Sequence, residues 1–181
     1  MKIQIIYSSR TGCTKKTAQA VYDRIRGEYD VSLCDLADGI PVLDGDVILA
    51  GYWGISGGPD EPVKEFLKSI RGKAVGIFCT LGYYADSAHA WDTVRAGVDL
   101  VKEHNLVIGS YVCNGSIARE LMGDQAPSDS HVPTEQKEIR WEMIKDHPTD
   151  AECALAAERF AERIWMYKKC RDQKISFSSI L

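Results

Sequence analysis

The chain has 181 residues, 45% of them hydrophobic, with a formal net charge of −4 and a pI near 5.6. That supports one domain with a full core, is too little for two, and has the wrong sign for a chain whose main partner is nucleic acid. No apolar run reaches the ~18 residues of a membrane span; Met1-Lys2-Ile3 leads straight into a strand pattern with no signal-peptide core, so a cytoplasmic location is the expectation.

Ile3 to Tyr7 is an apolar run of strand length, and it ends in the small, hydroxyl-rich stretch Ser8-Ser9-Arg10-Thr11-Gly12-Cys13-Thr14. From Thr14 to about Glu28 the residues Ala18, Val21, Tyr22 and Ile25 recur at helical spacing. A strand that passes through such a loop into a helix points backbone N–H groups, hydroxyls and the positive helix end at one volume, which suits a phosphate. Such a turn also serves as an ordinary helix cap. Neither G-x-G-x-x-G nor G-x-x-x-x-G-K-[ST] occurs, which removes the dinucleotide fingerprint and the nucleoside triphosphate loop.

Asp30 to Cys34 reads as a second strand, and Asp35 to Gly45, broken by Gly39 and Pro41, has room for one helical turn. Val47 to Tyr52 has the continuous apolar character of a strand buried on both faces. Trp53 to Pro59, the densest stretch in glycine, reads as irregular. Asp60, Glu61 and Pro62 open a helix striped by Val63, Phe66, Leu67 and Ile70 and closed at Gly72. Ala74 to Cys79 is a fourth strand. The loop Thr80 to Asp86 leads into a helix striped by Trp91, Val94, Val98 and Val101, with His104 at its close and His89 as a surface or capping residue. Leu106 to Cys113 is a fifth strand, ended by Asn114-Gly115. This alternation implies an α/β fold, a doubly wound five-stranded parallel sheet, and right-handed crossovers give the order 2-1-3-4-5.

Ser116 to Met122 reads as a short helix and Gly123 to Pro133 as a loop. Thr134 caps a helix to about Lys145 with Ile139, Met143 and Ile144 on one side, and His147-Pro148 stops it. Thr149 to Glu152 is a capping box that opens a long helix, with Cys153, Ala156, Ala157, Phe160, Ile164 and Tyr167 on one face and Trp165 and Met166 off it. Trp91, Trp141 and Trp165 are expected to pack. Residues 1–171 then form one domain, and 172–181 a frayed tail. The six cysteines show no C-x-x-C and no His at metal-ligand spacing, so reduced thiols are expected, with Cys34, Cys79 and Cys113 as small buried hydrophobes.

In a doubly wound sheet, ligands sit beyond the strand carboxyl ends where the order reverses, here between strands one and three. Three loops converge there: Ser8 to Cys13, Trp53 to Asp60, and Thr80 to Asp86. The S-x-T-G-x-T loop, the two aromatic loops and the strand order resemble flavodoxins over residues 1–113, and the long last helix extends the likeness. The T-L-G string and the H-P turn resemble in particular flavodoxin-like proteins of anaerobic bacteria. The resemblance implies FMN as cofactor, with Ser9, Arg10, Thr11, Gly12, Cys13 and Thr14 around its phosphate. It implies Tyr52, Trp53 and Gly54, with Thr80, Leu81, Gly82, Tyr83 and Tyr84, around the isoalloxazine. One of the adjacent tyrosines then faces the ring, and Gly54 gives a neighbouring peptide freedom to reorient.

The implied function is electron transfer between redox partner proteins, a reductase and an acceptor, by a monomer or homodimer with no metal, no catalytic residue and no membrane partner. The alternative is an FMN-dependent NAD(P)H:quinone-type reductase, in which residues 115–134 supply a second wall. A flavin-free interaction module has no need of the intact phosphate loop. Two departures from the family pattern stand out. Cys13 occupies a position where flavodoxins usually carry Asn, so oxidation there would perturb phosphate binding. Arg10, Lys15 and Lys16 add positive charge to a loop that is often neutral, and the overall net charge is milder than the strongly acidic surface of a general carrier.

Overall fold

Apolar residues on both faces of the central strands demand cover on both faces, and the helices supply it in two layers. The computed structural model describes residues 1–117 and 134–178. Its elements are β1 (Lys2–Tyr7), α1 (Cys13–Ile25), β2 (Asp30–Asp35), a single 3₁₀ turn (Leu36–Asp38), β3 (Val47–Ile55), β4 (Gly58–Pro59), α2 (Glu61–Ser69), β5 (Ala74–Leu81), α3 (Ala88–Val101), β6 (Leu106–Asn114), α4 (Glu135–Met143) and α5 (Asp150–Asp172). The long strands are all parallel in the order β2-β1-β3-β5-β6, which is the 2-1-3-4-5 arrangement expected of them. Among the described residues, no helix is long and apolar enough to cross a membrane.

Strand alternation divides the core. Ile48, Ala50 and Tyr52 of β3 and Val75 and Ile77 of β5 pack under α2 and α3, against Phe66, Leu67, Val94 and Val98. Val47 and Leu49 of β3 and Phe78 of β5 face the other way, against Val21 and Ile25 of α1 and Phe160 and Ile164 of α5. Each such fully buried side chain contributes about 1.5–3 kcal/mol. Surface ion pairs such as Lys68–Glu65 are exposed and screened by solvent, so the two apolar layers decide the fold.

The structure corrects the reading in five places. The glycine-rich stretch is regular: β3 runs on to Ile55 and pairs antiparallel with β4, Gly54 opposite Pro59 and Ile55 opposite Gly58. Ser56 and Gly57, at φ 51° and 80°, form the two-residue turn, and positive φ at both positions suits the twist of the flanking strands. Trp91 is not part of the buried stripe of α3, being 50% exposed; the inward face is Ala90, Thr93, Val94, Gly97, Val98 and Val101. On α4 the buried residue is Trp141, while Ile139 and Met143 stay exposed. Trp165 does not pack either and is about half exposed. Cys34 is only half-buried, whereas Cys79 and Cys113 are buried as expected.

Of the short helix expected at Ser116 to Met122, all beyond Ile117, together with the Gly123 to Pro133 loop, lies outside the described residues, as do 179–181. The capping box that opens α5 is present, Glu152 accepting from the Thr149 backbone and hydroxyl at 2.6 and 2.8 Å.

The inward turn of α3 depends on small residues. The Tyr52 hydroxyl donates to the Thr93 carbonyl at 2.8 Å and lies within 3.2 Å of the Val94 carbonyl, and a Cβ at Gly97 would stand 2.6 Å from that hydroxyl. Gly97→Ala is therefore expected to push the ring off α3 and destabilise the protein by about 1–3 kcal/mol. A urea titration checks this; a midpoint equal to wild type would refute it.

Candidate cofactor site

Loop one leaves β1 with the Ser8 N–H bonded to the Gly51 carbonyl at 3.0 Å. It reaches Gly12, whose φ of 87° turns the chain into α1 with no side-chain cap. Apart from the Lys15 N–H, the positive end of this thirteen-residue helix is thus left to whatever acceptor arrives. The Ser9 hydroxyl accepts from the Lys15 N–H at 3.2 Å and so braces the loop across the first turn. Thr14 is fully buried, and its hydroxyl pairs with that of Thr80 at 2.9 Å, which ties loop one to the end of β5.

The Cys13 thiol is a junction. It accepts from the Thr11 hydroxyl at 3.0 Å and the Ser116 N–H at 3.3 Å, and it donates to the His147 carbonyl at 3.4 Å. The segment after β6 is therefore pinned on loop one. A Cβ at Gly115 would lie 3.2 Å from the Cβ atoms of both Cys13 and Thr80, so this crossing requires glycine. Burial pushes the Cys79 and Cys113 thiols well above the ordinary thiol range.

A cavity of about 780 Å³ opens at these strand ends. Of the residues expected there, Arg10, Thr11, Trp53, Gly54, Thr80, Leu81, Gly82 and Tyr83 line it. Ser9, Gly12, Cys13 and Thr14 stand behind loop one, where they shape it, and their side chains do not line the cavity. Tyr52 is a correction: strand alternation turns it into the core under α3, fully buried. Tyr84 also points elsewhere, exposed and touching Tyr83 edge-on at 5.2 Å between ring centres. The tyrosine on the cavity is Tyr83.

Gly54 does not have the freedom expected of it. It is held in the ladder opposite Pro59, and a Cβ there would come 2.8 Å from the Thr93 methyl. It serves close packing, and the positive-φ turn lies at Ser56-Gly57.

Two cations cover the aromatic rings. The Arg10 guanidinium carbon sits 5.4 Å from the Trp53 ring centre, and that of Arg140 sits 4.6 Å from the Tyr83 ring centre. His89, expected at the surface, also lines the cavity and meets Tyr83 edge-on at 5.4 Å. The sequence reading missed Lys137, Arg140 and Trp141 on α4 as cavity residues. Their spacing marks one helix face, but periodicity says nothing of where α4 docks.

A family model described as a flavodoxin domain matches residues 4–161. A flavodoxin-like domain-containing protein, BilS, from Clostridioides difficile is 31% identical over 172 residues, covering 91% of this chain and 96% of that protein. The chain belongs to the flavodoxin family. A BilS protein of Clostridium symbiosum is 26% identical over 139 residues, covering 67% of this chain and 72% of its own length. Oxidised flavodoxin 2 of Bacillus cereus superposes with a TM-score of 0.56 at 21% identity, over 90% of this chain and 99% of that one. The Fusobacterium nucleatum flavodoxin bound to flavin mononucleotide gives 0.55 at 15% identity, over 93% and 97%. These two structures share the fold, and the family-level function is electron transfer.

One carboxylate of this flavodoxin lies close behind the cavity wall. Asp60 is buried, with the Ser8 hydroxyl donating to it at 2.8 Å. Burial raises its pKa above the usual carboxylate range, and hydrogen bonds from Ser8 and Trp53 offset this only in part. A raised folded-state pKa means that the folded protein holds this proton more tightly than the unfolded chain. Folding is then favoured below the unfolded pKa and loses stability as pH rises through the folded one. Asp60→Asn is expected to raise the melting temperature at neutral pH, with the gain shrinking as pH falls into the carboxylate range. A melting series from pH 4 to 8 checks the sign; a gain that grows on acidification would contradict it.

Proposed function

We propose that this flavodoxin binds FMN in the cavity and carries electrons between a reductase and an acceptor protein. The observation that carries the reading is the uncapped N-terminus of α1 behind Arg10 and Thr11, beside the same cavity that Trp53 and Tyr83 line. Backbone N–H groups with a helix end suit a phosphate dianion, and two aromatic side chains suit a flat ring. The donor set therefore fits the cofactor. When bound, the isoalloxazine supplies reversible uptake and release of electrons.

The chain's own residues hold and orient it. Ser9, Gly12, Cys13 and Thr14 shape the phosphate loop, Arg10 and Thr11 supply charge and a hydroxyl, and Trp53 and Tyr83 flank the ring with Gly54, Thr80, Leu81 and Gly82 as its floor. Thr14 acts through loop geometry, because its hydroxyl is engaged by Thr80, and the Thr11 hydroxyl must turn from the Cys13 thiol to reach a phosphate. A second reading, an FMN-dependent NAD(P)H:quinone-type reductase, draws on the added wall of Gly115, Ser116, Ile117 and α4, which gives the cavity a side beyond the three loops.

A hydrogen bond to a charged group is worth about 1.5–3 kcal/mol. Riboflavin is accordingly expected to bind at least about tenfold more weakly than FMN, and Thr11→Ala to weaken FMN by about tenfold while leaving riboflavin within about twofold. Equal affinities for the two flavins in a fluorescence titration would count decisively against the site.

The carrier and reductase readings separate under anaerobic conditions. Holoprotein mixed with NADH or NADPH is expected to stay oxidised, and to be reduced once a flavodoxin reductase is added. Direct bleaching by either nucleotide at about 1 to 1,000 per second would establish the reductase instead.

A further inference from the structure

Every charged side chain that lines the cavity among the described residues is cationic: Arg10, Lys137 and Arg140, joined by the imidazole of His89. Arg10 belongs to the phosphate loop. Lys137 and Arg140 come from α4, a different part of the chain, and Arg140 stands over Tyr83 at the aromatic end. On the same helix, Nε of Arg140 and Nε1 of Trp141 are buried and have no acceptor among the described residues. Trp141 is 8% exposed and lines the cavity.

Packing accounts for the indole ring but not for its N–H, which a phenylalanine would avoid. Stacking on Tyr83 accounts for the guanidinium plane but not for an unpaired Nε. A buried donor without an acceptor is costly, and here two stand on consecutive residues beside a cavity. Both side chains line the cavity, so an acceptor that enters it and draws these N–H groups toward itself removes both penalties.

We propose that the α4 wall is a second anion subsite, which takes the carboxylate or phosphate group of a flat, conjugated small molecule other than the cofactor. A guanidinium and an indole N–H on adjacent residues are donors with no acceptor capacity of their own. Arg favours planar oxyanions over point contacts, and Lys137, one turn earlier, adds charge. The Ile117 and Trp141 side chains offer an apolar surface to the conjugated part. The ligand class is thus a flat, conjugated anion that shares the cavity with FMN. Only that sharing rests on the FMN reading.

The test titrates the protein with 2-naphthoate, 2-naphthyl phosphate and the neutral 2-naphthamide, in FMN-loaded and FMN-free forms, following tryptophan fluorescence and flavin absorption. At least one anion is expected to bind tenfold or more tightly than the amide, and which one identifies the carboxylate or phosphate class. Arg140→Gln should abolish that preference, and Trp141→Phe, which keeps the packing, should reduce it about threefold or more. FMN affinity of Arg140→Gln should stay within threefold of wild type. Equal binding of acid and amide, or no saturable binding of any probe, overturns the proposal. So does a loss of FMN affinity in Arg140→Gln that riboflavin does not share, because the α4 cations would then serve the cofactor phosphate. A protein that takes up no FMN refutes the proposed function, while the anion preference of the FMN-free form still decides the subsite.

Discussion

A parallel sheet buried on both faces can keep polar groups dry only by pairing them along its ladders, so unpaired backbone donors collect where the strands end and the helices begin. In this flavodoxin β3 is buried from Val47 to Tyr52 and β5 throughout. Side chains suited to ligand binding can therefore enter only from the loops at the carboxyl ends. Everything at the cavity follows from this constraint. The uncapped start of α1 faces the strand ends because right-handed crossovers bring it there, and Trp53 and Tyr83 reach the cavity because their strands finish beside it.

Loop one would be a weak scaffold alone, since Gly12 and the hydroxyl residues impose little rigidity. It is held from outside: Thr80 fixes Thr14, the Cys13 thiol joins Thr11, Ser116 and the His147 carbonyl, and Lys16 donates to the Pro148 carbonyl at 2.7 Å. The thiol also explains the H-P turn, which the sequence shows only as a helix stop. The turn presents its carbonyls to loop one, and His147 in turn lies 2.7 Å from Glu152 of the α5 capping box. A larger, oxygenated sulfur at position 13 would have to displace several of these partners at once, so shape as well as charge ties this residue to the loop.

Strand order, helix positions and the three loops were legible because each rests on a local pattern: apolar runs, a 3.6-residue period, caps and turn residues. What stayed hidden depends on contacts between distant segments. Tyr52 reads as the last residue of its strand, at the edge of an aromatic loop, but β3 runs three residues further than its glycines suggest, and alternation sends that ring inward. Trp91 sits at a helical period with Val94 and Val98, yet α3 turns its small residues to the sheet so that Gly97 can admit the Tyr52 hydroxyl. The α4 wall was invisible for a different reason, since no local signal says which face of the molecule a short helix covers.

Net charge misleads in the same way. The chain is mildly acidic, yet its carboxylates lie mainly on outer helix faces, many beside a cation three residues away, as in Glu61–Lys64, Glu65–Lys68, Asp99–Lys102 and Glu142–Lys145. Such exposed pairs add little stability, and the two charges of each largely cancel one another's field at a distance. The charged side chains that line the cavity among the described residues are all basic. Low-dielectric walls concentrate their field into the opening. The electrostatic character that a ligand meets is therefore opposite in sign to the one that the composition advertises, and it is set by where α4 and loop one place three side chains.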